Sequence, residues 1–158
     1  ILFYLVQFTW ALPQNLAGLI AFLILSRKNE FERFHYSFIT YVEKKNFGGI
    51  SLGIFIFINP SKKDDVLHDT KIHEYGHTIQ ALFLGPIWLL VVALPSVVWC
   101  GLPILIKYRK EKNVSYYWLY CEGWANLLGL KWSKEEFISN EFLATGRFGK
   151  PIHNTSKV

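Results

Sequence analysis

The chain contains no methionine and begins at Ile1, so it is expected to lack its true start or to be the tail of a longer protein. Its only cysteines, Cys100 and Cys121, are too far apart for a C-x-x-C metal or redox site. Both sit in apolar surroundings that suit small core residues. No aspartate follows Asp69, and no charge of either sign occurs in residues 1–26 or 78–106. The first of these stretches also lacks the basic n-region and A-x-A pattern of a signal peptide, so it is expected to be retained. There is no internal repeat and no low-complexity tract. What is there is apolar: 51% hydrophobic and 17% aromatic residues exclude a disordered or collagen-like chain and disfavour an ordinary soluble domain. At 158 residues there is room for one domain, with or without a short membrane segment.

The net charge is +5, but the basic residues form no stripe. Arg27 and Lys28 follow the first uncharged stretch, and Lys107, Arg109, Lys110 and Lys112 follow the second. That placement fits contact with lipid headgroups and a cytoplasmic disposition, and nucleic-acid binding is not expected.

Residues 1–26 could reach about 39 Å as a helix and read as a transmembrane or membrane-anchoring segment, interrupted at Pro13-Gln14-Asn15. Gln7 is a further polar residue within it. Arg27 to Lys45 mixes charges with Phe31, Phe34, Tyr36, Phe38 and Tyr41, an amphipathic, interfacial pattern. Ile50 to Ile58 reads as a strand ended by Asn59-Pro60. After a charged turn at Ser61–Asp65, a helix is expected from Asp69 or Thr70, as N-cap, to Leu84 before Gly85-Pro86. Residues 87–106 are apolar but broken by Pro95, Gly101 and Pro103. A second, aromatic helix covers 115–129, and Ser133 with Glu136 resembles a capping box for a last short helix ending near Gly146. The tail from Phe148 is expected to be loose. The fold class is therefore mainly α with a short β strand or hairpin. Residues 27–158 form the domain, with an apolar, re-entrant insertion at 85–106.

His73-Glu74-Tyr75-Gly76-His77 is an H-E-x-x-H motif in the first of these helices. Positions i and i+4 share a helix face, so the two imidazoles can bind one zinc ion, and Glu74 is placed to take a proton from the water the metal activates. Zinc needs a third protein ligand. Glu122 is the only acidic residue between Glu111 and Glu135, flanked by Trp118, Tyr120 and Trp124. A carboxylate buried there requires a partner, and a metal ion is one. His35, His68 and His153 match no ligand spacing and are expected at the surface or an interface. Asp65 and Asp69 lie too near the helix start to be preferred as ligands. Tyr116, Tyr117 and Tyr120 are candidates to stabilise an oxyanion.

Glu122-Gly123-Trp124-Ala125-Asn126 downstream of H-E-x-x-H resembles the pattern of the gluzincin metallopeptidases, most nearly the membrane-bound HtpX-type and CAAX prenyl-protein endopeptidases. There the second motif reads Glu-x-x-Ala-Asp, and an apolar segment separates the two motifs. The resemblance covers residues 48–130 and implies a minimal gluzincin-like core with membrane-associated apolar helices. It implies His73, His77 and Glu122 as Zn2+ ligands, Glu74 as base and Asn126 behind a ligand. Asn in place of Asp cannot supply the negative charge that raises ligand basicity. It also implies that a strand beside the motif helix, here Ile54, Phe55 and Ile56, holds an extended peptide or protein substrate.

One site built from His77 and Glu122 constrains the topology. Residues 78–106 as one straight helix would be about 43 Å long and would carry Glu122 across the membrane, away from His77. The chain is therefore expected to bend back at Pro95, or not to cross at all. A return also leaves both basic clusters on one side. The expectation is a membrane-associated zinc metallopeptidase with its site on the cytoplasmic side. The alternatives are a non-catalytic metal-binding membrane protein, such as an immunity or assembly factor, and a site-2-type intramembrane protease, which would need a late aspartate that the chain lacks.

Overall fold

The computed structural model describes residues 1–45 and 47–143. The first uncharged stretch forms two helices, α1 (Leu2–Thr9) and α2 (Leu12–Leu25), bent by 97°. The bend falls at Trp10–Ala11, ahead of the expected interruption. Pro13 lies in the first turn of α2, where its missing N–H would have had no helical partner. The polar residues that looked like breaks are buried anchors. Gln7 Nε2 donates to the Thr78 carbonyl at 3.0 Å and Gln14 Nε2 to the Gly85 carbonyl at 2.9 Å. Asn15 Oδ1 accepts the Ile54 N–H at 2.9 Å. Residues 1–26 are thus packed into the fold along their length.

The segment 27–45, expected to be amphipathic and interfacial, carries a hairpin of β1 (Phe31–Phe34) and β2 (Ser37–Tyr41). The expected strand over 50–58 is a second hairpin, β3 (Gly49–Leu52) and β4 (Phe55–Ile58), because Gly53 at φ +65° turns the chain between them. The sheet order is β1-β2-β4-β3, with β2 and β4 parallel and the outer pairs antiparallel. Successive side chains of β4 alternate faces: Phe55 and Phe57 pack with Phe22 of α2, while Ile56 and Ile58 pack with Tyr75 and Ile79. Both faces are covered, so β4 reads as a continuous apolar run.

Tyr75 and Ile79 belong to α3 (Asp64–Leu84), a central helix buried throughout 69–81 except at Lys71. It begins earlier than expected. Asp64 and Asp65 occupy its first turn, where acidic residues complement the helix dipole. Asp69 is not the N-cap but lies inside the helix, fully buried, accepting the N–H groups of Ile138 at 2.9 Å and Ser139 at 2.6 Å. The end at Leu84 is as expected, with Gly85 at φ +55°.

The return of the apolar run comes earlier than Pro95. The axis turns by 118° between Ile87 and Leu89, where the Gly85 backbone breaks the helix. A π turn at Leu89–Ala93 leads into α4 (Leu94–Gly101), and α5 (Pro103–Lys112) follows. Pro95 and Pro103 both lie in first turns and start these helices. A 3-10 turn at Tyr116–Trp118 precedes α6 (Tyr120–Ser133), which begins later than expected. Ser133 closes α6 and accepts the Glu135 N–H at 3.1 Å, so it caps no later helix; within the described residues α7 is Asn140–Leu143. The expected helix end near Gly146, the tail from Phe148 and His153 lie outside the described residues. The molecule is mainly helical with a small mixed sheet. Among the described residues no single helix is long and apolar enough to cross a membrane, although each bent pair passes that test as a unit.

Candidate metal centre

The centre is built where α3 meets α6. Both helices contribute glycine at the crossing: a Cβ on Gly76 would strike the Ala125 carbonyl, and one on Gly129 the Ile72 carbonyl. Backbones this close bring Glu122 and Asn126, i and i+4 on α6, against His73 and His77, i and i+4 on α3.

Glu122 Oε2 lies 3.2 Å from His73 Nε2 and 3.4 Å from His77 Nε2. All three residues are buried, and one ligand atom from each lies within 4.8 Å of the others. Ligands about 2.0–2.1 Å from a tetrahedral zinc ion would stand roughly 3.3 Å apart, which matches both contacts. The far ring nitrogens fix the tautomers. Gln80 Nε2 donates to the Cys121 carbonyl at 2.7 Å, which turns Gln80 Oε1 toward His77 Nδ1, also at 2.7 Å. Asn126 Nδ2 faces the Phe142 carbonyl at 3.4 Å, and its Oδ1 meets His73 Nδ1 at 2.6 Å. Both Nδ1 atoms therefore donate, and both Nε2 atoms point inward as lone pairs in the neutral rings.

In that state Glu122 Oε2 is buried without a hydrogen-bond donor, a costly condition that a bound cation removes. Its other oxygen faces the Cys121 thiol at 3.8 Å. Two imidazoles and one carboxylate suit several first-row divalent ions. The group could hold a metal ion.

Without one, charge is shared within the cluster. Burial pushes the Glu122 carboxyl up, but His77 and then His73 outweigh it and hold it well below the usual carboxylate range. Burial pulls His77 down, yet the Glu122 carboxylate raises it to about 9. Burial raises Glu74, with Glu122 adding to the rise and the two imidazoles and Lys62 opposing it. Cys121 is pushed up to about 12, by burial first and by Glu122, so it stays a thiol.

A cleft of about 440 Å³ opens over His73, Glu74 and His77, between β3 on one side and Trp88, Val92 and Val97 on the other. Glu74 is packed against Gly49 of β3: a Cβ there would lie 2.5 Å from Glu74 Oε1. Tyr116 and Tyr117 line the cleft, whereas the Tyr120 hydroxyl donates to the Val91 carbonyl. Ile54, Phe55 and Ile56 are not part of it. Phe55 and Ile56 lie in β4, paired on both sides, with no free edge for a peptide; the edge strand on the cleft is β3. Cys100 is exposed and lines the same cleft, so it is not the core residue expected, while Cys121 is. His35 and His68 both meet Glu135, at 2.8 and 3.0 Å, in a separate partly exposed cluster.

Two residues of the site were not singled out from the sequence. Gln80 shares a helical face with His73 and His77, at i, i+4 and i+7, and that periodicity could have revealed it. Lys62 reaches the cleft from the turn before α3, and nothing local marks it. No family profile, curated protein or solved structure matches this chain, so the centre stands on its own geometry.

Proposed function

We propose that the protein is a membrane-associated zinc metallopeptidase of the gluzincin kind, acting on the cytoplasmic side. The observation that carries this reading is the convergence of His73 Nε2, His77 Nε2 and the buried Glu122 Oε2, with the Glu74 carboxyl next to them at the floor of an open cleft. His73, His77 and Glu122 would hold the zinc ion. When bound, zinc supplies Lewis acidity that polarises a peptide carbonyl and lowers the pKa of water.

The chain's own groups account for the rest. Asn126 and Gln80 hold the two imidazoles in the ligating tautomer and orientation. Glu74 accepts a proton from the attacking water and returns it to the leaving amine. The β3 edge, with one strand neighbour, suits an extended peptide laid along the cleft. Of the three tyrosines considered for an oxyanion, Tyr116 and Tyr117 line the cleft, and burial keeps both protonated.

The membrane part of the reading rests on two uncharged stretches, 1–26 and 78–106, each within a bent helix pair with exposed apolar side chains and each followed by basic residues. The test is Glu74→Gln beside wild type, with metal analysis and a peptide library. One zinc per chain is expected in both, with cleavage in wild type only. Zinc without any cleavage in wild type would favour the non-catalytic metal-binding protein, and cleavage surviving in Glu74→Gln would sink the mechanism.

A further inference from the structure

Lys62 is the only lysine or arginine among the described residues that line the cleft. It precedes α3 and stands at the end of the cleft where β3 begins. A Cβ on Gly48 would lie 3.9 Å from its Nζ, and the next residue, Gly49, is the one packed against Glu74. Cation and base thus stand beside consecutive residues of one chain, whose Cα atoms are about 3.8 Å apart.

The ammonium is poorly used by the protein itself. Among the described residues its one hydrogen bond goes to Thr70 Oγ1 at 3.1 Å. The Thr70 hydroxyl in turn donates to the Val66 carbonyl at 2.6 Å, so its oxygen is a true acceptor. An ammonium carries three N–H donors. No carboxylate among the described residues pairs with it, and it is partly buried, with burial pulling its pKa down against Glu74 and Glu141. The cleft is also lined by apolar side chains (Leu52, Trp88, Val92, Val97), and an apolar lining strengthens charge-assisted contacts made within it.

We propose that Lys62 is a carboxylate-binding subsite of the cleft, so that the preferred substrate carries a free carboxylate within one or two residues of the bond at Glu74. This rests on the peptidase reading and adds a substrate class to it. The carboxylate could be a chain terminus or an Asp or Glu side chain; the chemistry at Lys62 is the same.

The experiment uses the full chain loaded with zinc and dicarboxylates from malonate to adipate, each beside its monoamide, titrated by calorimetry. One chain length is expected to bind roughly tenfold tighter than its monoamide, the size of one charge-assisted contact, and Lys62→Met should abolish that difference at unchanged zinc content. Equal binding of acid and amide in wild type, or an advantage that survives Lys62→Met, overturns the proposal. Peptides ending in acid or amide, and peptides with Glu or Gln near the cleaved bond, then show which carboxylate is read. If Lys62→Met slows acidic and neutral peptides alike and shifts the pH profile, Lys62 acts on Glu74 and the subsite is refuted. If no peptide is cleaved but the Lys62-dependent dicarboxylate advantage holds, the peptidase reading falls and the subsite stands.

Discussion

His77 faces Glu122 at 3.4 Å and Gln80 at 2.7 Å, and this makes metal uptake an exchange of ions at one nitrogen. With its pKa raised to about 9, metal-free His77 carries a proton at pH 7 that a metal ion must displace. Metal affinity should therefore rise about tenfold per pH unit from pH 7 and level off near 9, read by competition with a chelator. The metal-free fold has the opposite slope. A raised folded pKa contributes stability that is full below the unfolded value of 6.5 and lost as pH rises through about 9, so its melting temperature should fall across that window. Gly49 makes a second prediction. Its missing Cβ leaves room for the Glu74 carboxyl, and Gly49→Ala must push that flexible side chain away. Activity should drop by an order of magnitude or more, while zinc content and melting temperature change little. At this scale the H-E-x-x-H residues were legible from helical periodicity alone, and Glu122 from its isolation among aromatics. Gln80 was not singled out, although its i+7 place on the histidine face could be read, and Lys62 was not legible, because a cleft-lining role depends on what lies across the space.

The working unit among the elements is the α3–α6 pair. Its contact relies on Gly76 and Gly129, each set against a backbone carbonyl that cannot step aside. Gly129→Ala should force the helices apart, costing about 1–3 kcal/mol in denaturant unfolding and weakening zinc binding together. Gly101→Ala is the control. A Cβ at that position meets nothing, so stability should move by less than about 1 kcal/mol. A Gly129→Ala variant as stable as wild type would mean the helices are not held by this contact. Of the helix limits, Asp64 starts α3 where a charged turn is expected, and Pro95 and Pro103, expected as breaks, begin α4 and α5; the end of α3 before Gly85 was readable. The strands were less so. Ile50 to Ile58 has a strand-like composition throughout, and only the positive φ at Gly53 splits it in two. Whether β4 or β3 is the edge depends on β2, which pairs with β4 from a different hairpin.

For the whole molecule, the bent apolar pairs meet at their elbows. The Gly85 backbone packs against Trp10, and Gln14 donates to the Gly85 carbonyl. One face of α2 covers the sheet, while Leu12, Leu16, Ile20 and Leu23 on the other remain 45–53% exposed along its length. With Arg27 and Lys28 at its end, that face suits a lipid surface with anionic headgroups. The protein is expected to sediment with anionic vesicles, and Leu16→Glu with Ile20→Glu to release it; retention of the double variant on vesicles would refute this face. The sequence by itself determined the chemistry on offer: two imidazoles on one helix face with a carboxylate beside the first, an isolated glutamate, and two stretches without charge. Those follow from side-chain type and the period of a single helix. Only the tertiary structure decided where the apolar runs bend, which strand is the edge, and that Glu122 and Asn126 stand against the two histidines. Such outcomes arise from backbones that approach over long sequence separations, and no local periodicity encodes the distance between two helices.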